Sequence, residues 1–383
     1  IPPKAKKIKK ELTVHGHTRT DYYFWLNERD NPEVIDYLKE ENRYTDFMMQ
    51  DTKELQEKLY NEIIGRIKQT DMSVPYFENG YYYYVRYEEG KEYPVYCRKK
   101  GIMEAPEEVM LNVNEIASGH DYCHVTGLAV SPDNRLLAFG VDTVSRRLYT
   151  IRFKNLETGE MLPDIIENTI GYVAWANDNE TVFYSQKEIT TLRPFKILRH
   201  KMGTSTGNDY TVFEEKDETY DAYVYKTKSK EYIIISSSST LSDEYRFCRA
   251  DKPEDEFRLF HPRERELEYD IDHFGDHFYI RTNFNAKNFR LMETPVSNTA
   301  KSSWKEVIPH RDTVLLENFE LFTQYMVLEE RINGLTRFRV INMLNKSEYY
   351  IDLREQAYTA WFSYNPEFNT EILRYGYSSM TTP

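Results

Sequence analysis

The feature that most constrains this chain is a repeated pair of short strands. After Pro75, an apolar or aromatic strand is followed seven times by a tight polar turn and a second such strand. The spacing of 44 to 54 residues between successive turns is typical of propeller blades with four strands, and it is too long for an ankyrin or leucine-rich repeat. One sheet alone would leave both faces exposed, and stacking the sheets around an axis buries them. The turns lie near Asn79, Asp133, Asp178, Lys228, Gly275, Thr323 and Glu367.

The second half of the repeat supports a blade of four strands. Tyr149–Glu160 has the pattern of a third strand that ends in a Thr-Gly turn, and Leu335–Glu348 repeats that shape. The sequence therefore predicts an all-β fold, a seven-bladed β-propeller over residues 71–383. The seventh unit reaches Pro383 after only two strands, so its blade is predicted to be incomplete, with Ile372–Tyr377 as the second strand.

Residues 1–70 have a different pattern and predict an extended and helical arm. Asn31 suits a helix N-cap and Pro32 suits the first helical position. Further along, Leu55, Leu59 and Ile63 follow one another at intervals of four and would line one face of a second helix.

Charge and cysteine content narrow the possible partners and the compartment. With 50 basic and 63 acidic side chains, the net charge of −13 argues against nucleic-acid binding and favours cationic peptides. The three cysteines are far apart and odd in number, so we expect no disulfide scaffold and a reducing, cytoplasmic location.

No apolar run approaches the 18 residues of a membrane span, so no membrane partner is predicted. No signal peptide is visible, and one that was removed stays an alternative.

Three patterns resemble chemical sites but fit structural roles better. Gly203–Gly207 matches G-x-S-x-G, yet strand patterns lie on both sides of it, whereas a nucleophile elbow requires a helix after the serine. His120, Cys123 and His124 lack the further ligands of a zinc site, and His273 with His277 straddles a predicted turn. The sequence therefore predicts no metal, no cofactor and no catalytic group within the chain.

Ser145-Arg146-Arg147 is the most suggestive polar segment. Paired arginines between the second and third strands of a blade would lie on a loop, free to reach a partner. They fit either a solvated surface pair or a bidentate clamp on a carboxylate of a substrate or another domain.

Several segments together are similar to the prolyl oligopeptidase family of serine peptidases, and the resemblance extends over the whole chain. They occur in the order expected for that family, which makes the match far more specific than any single motif. The segments are His15–Asp21, the pattern Asp21-x-Tyr23-x-Trp25-Leu26, Ser145–Arg147, Phe153–Gly159 and Arg374–Pro383.

The resemblance implies a two-domain enzyme in which a propeller caps an α/β-hydrolase domain and admits only short peptides. It also implies hydrolysis after arginine or lysine, so the expected partners are short basic oligopeptides and the hydrolase domain. In the family the serine, aspartate and histidine of the triad lie in that C-terminal domain, and its G-G-S-x-G-G elbow is absent from this sequence. The chain alone is therefore expected to be inactive.

Two other functions stay open on the residues. The first is a stand-alone propeller that binds proteins, although the Gly-His, Trp-Asp and double-glycine signatures of WD40 and kelch repeats are absent from the blades. The second is a propeller glycosidase, which requires two facing carboxylates that the sequence alone does not identify.

A hinge is predicted where the two patterns meet, with Asp71, Met72 and Ser73 as its most flexible point. A gated peptidase requires such a joint between its arm and its propeller. Amide hydrogen exchange at these three residues is expected to be faster than in the segments on either side. Uniform protection across residues 68–75 would contradict the hinge.

Overall fold

A computed structural model describes residues 1–382, which divide into two compact units with the boundary between Gln69 and Thr70. The first unit begins with a β-hairpin, and two helices follow it. The hairpin strands are β1 (Lys10–Val14) and β2 (His17–Asp21), and the helices are α1 (Pro32–Met48) and α2 (Lys53–Arg66). The Asn31 side chain accepts a hydrogen bond of 3.0 Å from the Glu33 amide, which confirms the predicted N-cap. The indole of the buried Trp25 donates to the Lys6 carbonyl oxygen at 2.9 Å.

Helix α2 is amphipathic, and within the described unit its apolar face is uncovered. Leu55, Leu59 and Ile63 lie on one side of the helix, as the spacing predicts, and are 56%, 47% and 60% exposed. A stripe of this kind normally faces a core or a partner.

Within its described residues, 70–382, the second unit contains 25 strands in antiparallel sheets. Blade 1 consists of β3 (Tyr76–Glu78), β4 (Tyr81–Arg86), β5 (Val95–Lys100) and β6 (Glu108–Asn112), followed by one helical turn, α3 (Val113–Ile116). Blades 2 and 3 contain β7 (His124–Val130), β8 (Leu136–Asp142), β9 (Tyr149–Asn155), β10 (Met161–Trp175), β11 (Thr181–Lys187), β12 (Pro194–Lys201) and β13 (Tyr210–Glu214).

The remaining blades follow in chain order. Blade 4 consists of β14 (Asp221–Lys226), β15 (Tyr232–Ser238), β16 (Asp243–Arg249) and β17 (Arg258–Leu259). Blade 5 consists of β18 (Tyr269–Phe274), β19 (His277–Thr282), β20 (Arg290–Pro295) and β21 (Lys305–Ile308). Blade 6 consists of β22 (Val314–Leu321), β23 (Tyr325–Ile332), β24 (Leu335–Asn342) and β25 (Glu348–Tyr350). Blade 7 contains β26 (Tyr358–Phe362) and β27 (Tyr375–Ser379).

Strand β10 belongs to two blades, which sequence periodicity did not predict. Its first part pairs with β9 as the outer strand of blade 2, and its last part pairs with β11 as the inner strand of blade 3. Irregular pairing near Thr169 marks the change of partner, so one seven-stranded sheet joins these two blades.

The predicted seven-bladed propeller with an incomplete last blade is confirmed. The inner segments of all seven blades line one central channel, and blade 7 has two strands among the described residues. Its second strand begins at Tyr375 rather than at Ile372 as predicted. The reason is local: the Asn365 side chain hydrogen-bonds the amide of Arg374 at 2.8 Å and its carbonyl oxygen at 2.9 Å, which holds the chain out of the ladder up to that point.

Each pair of consecutive blades from 1 to 6 encloses its own apolar core, and so do blades 6 and 7. Phe139, for example, packs between blades 1 and 2, and Phe183 packs between blades 3 and 4. The junction between blades 7 and 1 differs. The cluster of buried apolar residues on that side of blade 1 contains only Tyr84, Val95 and Cys97 among the described residues.

Side-chain contacts, not a shared strand, join blade 7 to blade 1 in the described residues. Tyr364 donates to Glu78 at 3.1 Å, and Arg374 donates to the Val74 carbonyl oxygen at 2.7 Å. The amide of Asn79 donates to the Glu367 carboxylate at 2.8 Å. The rings of Tyr76 and Tyr364 also meet edge to face at 5.0 Å, so this junction combines polar contacts with one aromatic contact.

A charged network is buried between blades 2 and 3. His200 lies between two carboxylates, with Nδ1 at 2.7 Å from Asp209 and Nε2 at 3.1 Å from Asp164. Tyr184 donates to the second oxygen of Asp209 at 2.9 Å, and the three charged side chains are almost fully buried. Burial lowers the pKa of His200, but the hydrogen bonds to Asp209 and Asp164 outweigh it, so the net shift is upward.

The raised pKa of His200 predicts a stability that depends on pH. Because the pKa is higher in the folded state, the protonated imidazole stabilises the fold below the unfolded value of about 6.5, and this contribution is lost as pH rises through the folded value. His200→Gln should lower the free energy of unfolding by about 3 kcal/mol at pH 6, and by less at pH 8.5. Urea denaturation at the two pH values measures this difference. His17→Gln, an exposed control, should behave like the wild type at both, and an equal loss for His200→Gln at both would contradict the prediction.

The edge of blade 7 predicts self-association when residues 1–383 are produced in isolation. Strand β27 pairs with β26 alone in the described residues, and its outer edge offers free backbone groups for another strand. Light scattering should therefore show a mean mass that rises with concentration. Ile372→Lys, at a 69% exposed position beside this strand, should reduce the association, whereas Leu344→Lys, at a 77% exposed turn position of blade 6, should not. A monomer at every concentration would refute the prediction.

Candidate functional site

The channel through the propeller is a cavity with a volume of about 950 Å³. The first strand of each blade, or the segment after it in blade 7, supplies the wall. Five acidic and three basic side chains line it, so the channel is polar with an excess of negative charge. These are Glu78, Asp270, Asp272, Glu320 and Glu367 with Lys226, Lys228 and Lys230.

Burial changes the ionisation of several of these groups. It raises the pKa of Asp270 to about 6, although Arg281 lies 2.9 Å away and opposes the shift. Burial also raises the pKa of Asp272 and of Glu320. The pKa of Lys226 falls to about 8 because the ammonium group is desolvated and Lys230 is near. Burial therefore favours the neutral forms both of these carboxyl groups and of Lys226.

The two faces of the propeller are built differently. The first and second strands of blades 1 to 6 are joined by short turns on one face, which we call the hairpin face. The second strands run back to the opposite face, the loop face, where they connect to the third strands. Since β27 is the second strand of blade 7, its last residue, Ser379, lies at the loop face.

Arg146 and Arg147 lie on the loop face, in the connection from β8 to β9, and both are exposed. The buried Asp142 carboxylate accepts hydrogen bonds from the amides of Arg147 at 2.7 Å and Val144 at 2.9 Å. Lys187 of blade 3 donates to the Arg147 carbonyl oxygen at 2.7 Å. The backbone of this loop is thus held from both sides, and neither guanidinium group pairs with a carboxylate within residues 1–382.

Aromatic and hydroxyl groups also lie on the loop face of blades 2 and 3. Tyr172 is 52% exposed and accepts a hydrogen bond of 2.8 Å from Thr126. Tyr149 and His124 share a hydrogen bond of 2.9 Å. The loop face of blades 2 and 3 therefore carries both exposed arginine side chains and tyrosine rings.

The predicted hinge residues lie at the start of the second unit, beside the end of β4. The amide of Tyr87 donates to the Asp71 carbonyl oxygen at 2.9 Å, and the amide of Ser73 donates to Val85 at 2.8 Å. Met72 forms an isolated bridge with Arg86. Motion at Asp71–Ser73 would have to break these contacts, and the hinge stays a prediction.

The other motifs occupy structural positions. Gly203–Gly207 lies in the connection between the antiparallel strands β12 and β13, as the hairpin interpretation predicts. His273 and His277 lie on the paired strands β18 and β19. Among residues 1–382, no group of three or more histidine, cysteine, aspartate or glutamate side chains is placed to hold a metal ion.

Sequence reasoning missed the charged groups of the channel. A signal was present, because Glu78, Lys228, Lys230 and Glu367 all lie at or next to the repeated turns. Aligning the seven units on those turns would have collected charged residues at equivalent positions. The sequence did not predict which of these charged residues form ion pairs, because the partners are far apart in the chain.

Comparison with known proteins places the chain in a family. Residues 2–383 match the family model described as prolyl oligopeptidase, N-terminal beta-propeller domain. The chain therefore belongs to the prolyl oligopeptidase family and corresponds to its propeller portion.

Two curated relatives match the whole chain but are longer. The chain is 43% identical to dipeptidyl aminopeptidase BI of Pseudoxanthomonas mexicana and covers 55% of that protein. It is 32% identical to Protease 2 of Moraxella lacunata and covers 56% of it. The chain thus spans little more than half the length of these relatives.

Solved structures give the same result. Oligopeptidase B from Leishmania major superposes over the whole chain with a TM-score of 0.94 at 30% identity, and the chain covers 58% of it. Oligopeptidase B from Trypanosoma brucei, in a closed form with covalently bound antipain, superposes with a TM-score of 0.92 at 28% identity. A separate observation is that no helix within residues 1–382 is long and apolar enough to cross a membrane.

Proposed function

We propose that this chain is the N-terminal arm and propeller of a serine oligopeptidase that hydrolyses short peptides after arginine or lysine. The propeller would limit the access of substrates to an α/β-hydrolase domain that supplies the catalytic triad. The observation that carries the proposal is the match over residues 2–383 to the propeller of the family, together with the superposition on oligopeptidase B. The excess of acidic groups in the channel is compatible with basic peptides.

The exposed apolar stripe of α2 supports a further domain as the partner of the arm. Leu55, Leu59 and Ile63 are each about half exposed in the first unit. Burying such a stripe against a domain would contribute on the order of 1 kcal/mol or more for each side chain. We propose the hydrolase domain as this partner, with Asp71–Ser73 as the hinge that lets it move.

The name of one relative favours a second specificity. The relative at 43% identity is called a dipeptidyl aminopeptidase, an enzyme that by its name removes dipeptides from a free N-terminus. We keep this as the alternative to internal cleavage after basic residues. A stand-alone propeller that binds proteins is the alternative function without catalysis.

We also propose a reducing, cytoplasmic location, with which the three buried free cysteines agree.

The coding sequence downstream of Pro383 tests the class of protein. A continuation with the G-G-S-x-G-G elbow would support the peptidase, and a stop codon at that point would support the stand-alone scaffold. Residues 1–383 alone should show no hydrolysis of peptides.

For the full-length protein, N-blocked and free-amino Arg-Arg aminomethylcoumarin substrates separate the two specificities. Cleavage of both supports the oligopeptidase, whereas cleavage of the free-amino substrate alone supports the dipeptidyl aminopeptidase.

Arg146 and Arg147 are proposed to reach carboxylates of the hydrolase domain and to stabilise the closed state. Both lie on the face where the described chain ends, on a loop whose backbone is already fixed. Arg147→Ala in the full-length enzyme should lower kcat/KM about tenfold, the value of one charge-assisted hydrogen bond, with an unchanged melting temperature. Arg135→Ala, an exposed arginine of the same blade near the hairpin face, is the matched control and should have no effect. Wild-type kinetics for both Arg146→Ala and Arg147→Ala would remove the proposal.

A further inference from the structure

The turn between β14 and β15 carries three lysines within five residues. We call residues 226–231 the lysine hairpin. Its backbone is tight, because the amide of Lys230 donates to the Thr227 carbonyl oxygen at 2.8 Å and the amide of Thr227 donates to Tyr232 at 2.9 Å. Lys230 has a φ of +62°, a left-handed conformation that a lysine adopts at a cost of about 1 kcal/mol. A strained turn with three like charges requires compensating contacts.

Lys228 is a largely buried cation held by blades 6 and 7. Its Nζ lies 2.8 Å from Glu320, and its side chain is 9% exposed. The same ammonium group lies 4.1 Å above the ring of Phe322 and 5.1 Å above the ring of Phe368. A carboxylate and two aromatic faces replace the water that the ammonium group has lost.

Lys230 and Lys226 reach two further blades. Lys230 forms an ion pair with Glu78 of blade 1, and the second oxygen of Glu78 accepts the hydrogen bond from Tyr364 of blade 7. Lys226 donates to the Asn177 side chain of blade 3 at 2.6 Å. One short hairpin of blade 4 therefore contacts blades 1, 3, 6 and 7.

The positions of these partners mean that the hairpin crosses the channel. In a ring of seven, blade 4 lies opposite the junction between blades 7 and 1. Lys230 and Glu78 are 152 residues apart, and Lys228 and Glu320 are 92 residues apart. The Lys230–Glu78 pair joins nearly opposite sides of the ring, and the Lys228–Glu320 pair joins blades that are two apart, so both place side chains across the opening at the hairpin face. Lys230 pairs with blade 1 and Lys228 contacts the Phe368 ring of blade 7, so the hairpin contacts both sides of the junction between blades 7 and 1.

We propose that the lysine hairpin is an electrostatic clasp that closes the channel at the hairpin face and holds blades 7 and 1 together. Any molecule that passes through this end must first break the Lys228–Glu320 and Lys230–Glu78 pairs. The clasp follows from the contacts within the propeller and does not depend on the proposed peptidase activity.

Hydrogen exchange of residues 1–383, followed by mass spectrometry, tests the clasp. The reporters are the amide of Asn79, which bonds Glu367, and the amide of Thr323, which bonds the Phe368 carbonyl oxygen. Lys228→Met and Lys230→Met should each raise exchange about tenfold in the peptides that contain these amides, and leave blades 2 and 3 unchanged. Lys201→Met, which removes an exposed pair with Glu180 in blade 3, is the matched control and should change neither reporter.

A charge exchange separates the clasp from general destabilisation. The double variant Glu78→Lys/Lys230→Glu restores the pair with opposite polarity and should bring exchange back to within about threefold of the wild type. Unchanged exchange in both single variants would overturn the clasp. So would an equal rise in all seven blades, or a double variant that does not fold or exchanges as fast as Lys230→Met.

Discussion

The structure depends on sheets that are apolar on both faces. In β15, Ile233 and Ile235 pack toward blade 3, whereas Tyr232 and Ile234 pack toward blade 5, so the strand is buried throughout. A four-stranded sheet of this kind is stable only when both faces are covered, and its neighbours have the same need. Arranging the sheets in a ring satisfies all of them at once, because each blade then has a neighbour on either side.

A ring built in chain order must close between its first and last blades, and here the contacts of that junction are mainly polar, with one aromatic pair. The six other junctions contain apolar clusters, but blades 7 and 1 meet through tyrosines, carboxylates and Arg374. Polar contacts specify geometry well but add little free energy once desolvation is counted. This junction is therefore expected to be the weakest of the ring, and the lysine hairpin contacts it from the opposite side of the channel.

The two faces of the propeller carry different groups. Short turns and crossing ion pairs occupy the hairpin face, whereas the loop face carries Arg146, Arg147 and exposed tyrosines such as Tyr172. The chain also reaches its last described residues at the loop face. A catalytic domain attached after those residues would adjoin the loop face, where fixed backbone and free guanidinium groups are available for contacts.

Local sequence determined the number of blades, the positions of their turns and the change from helices to strands after Pro75. Those features follow from side-chain periodicity and from turn residues such as Asn79-Gly80, which act over a few positions. Only the tertiary structure decided that β10 serves two blades, that His200 lies between Asp164 and Asp209, and that Lys230 meets Glu78. These contacts join groups far apart in the chain, and their partners depend on how the blades are placed around the axis. Periodicity does not predict that placement, because it specifies which face of a strand is buried but not which distant residue covers it.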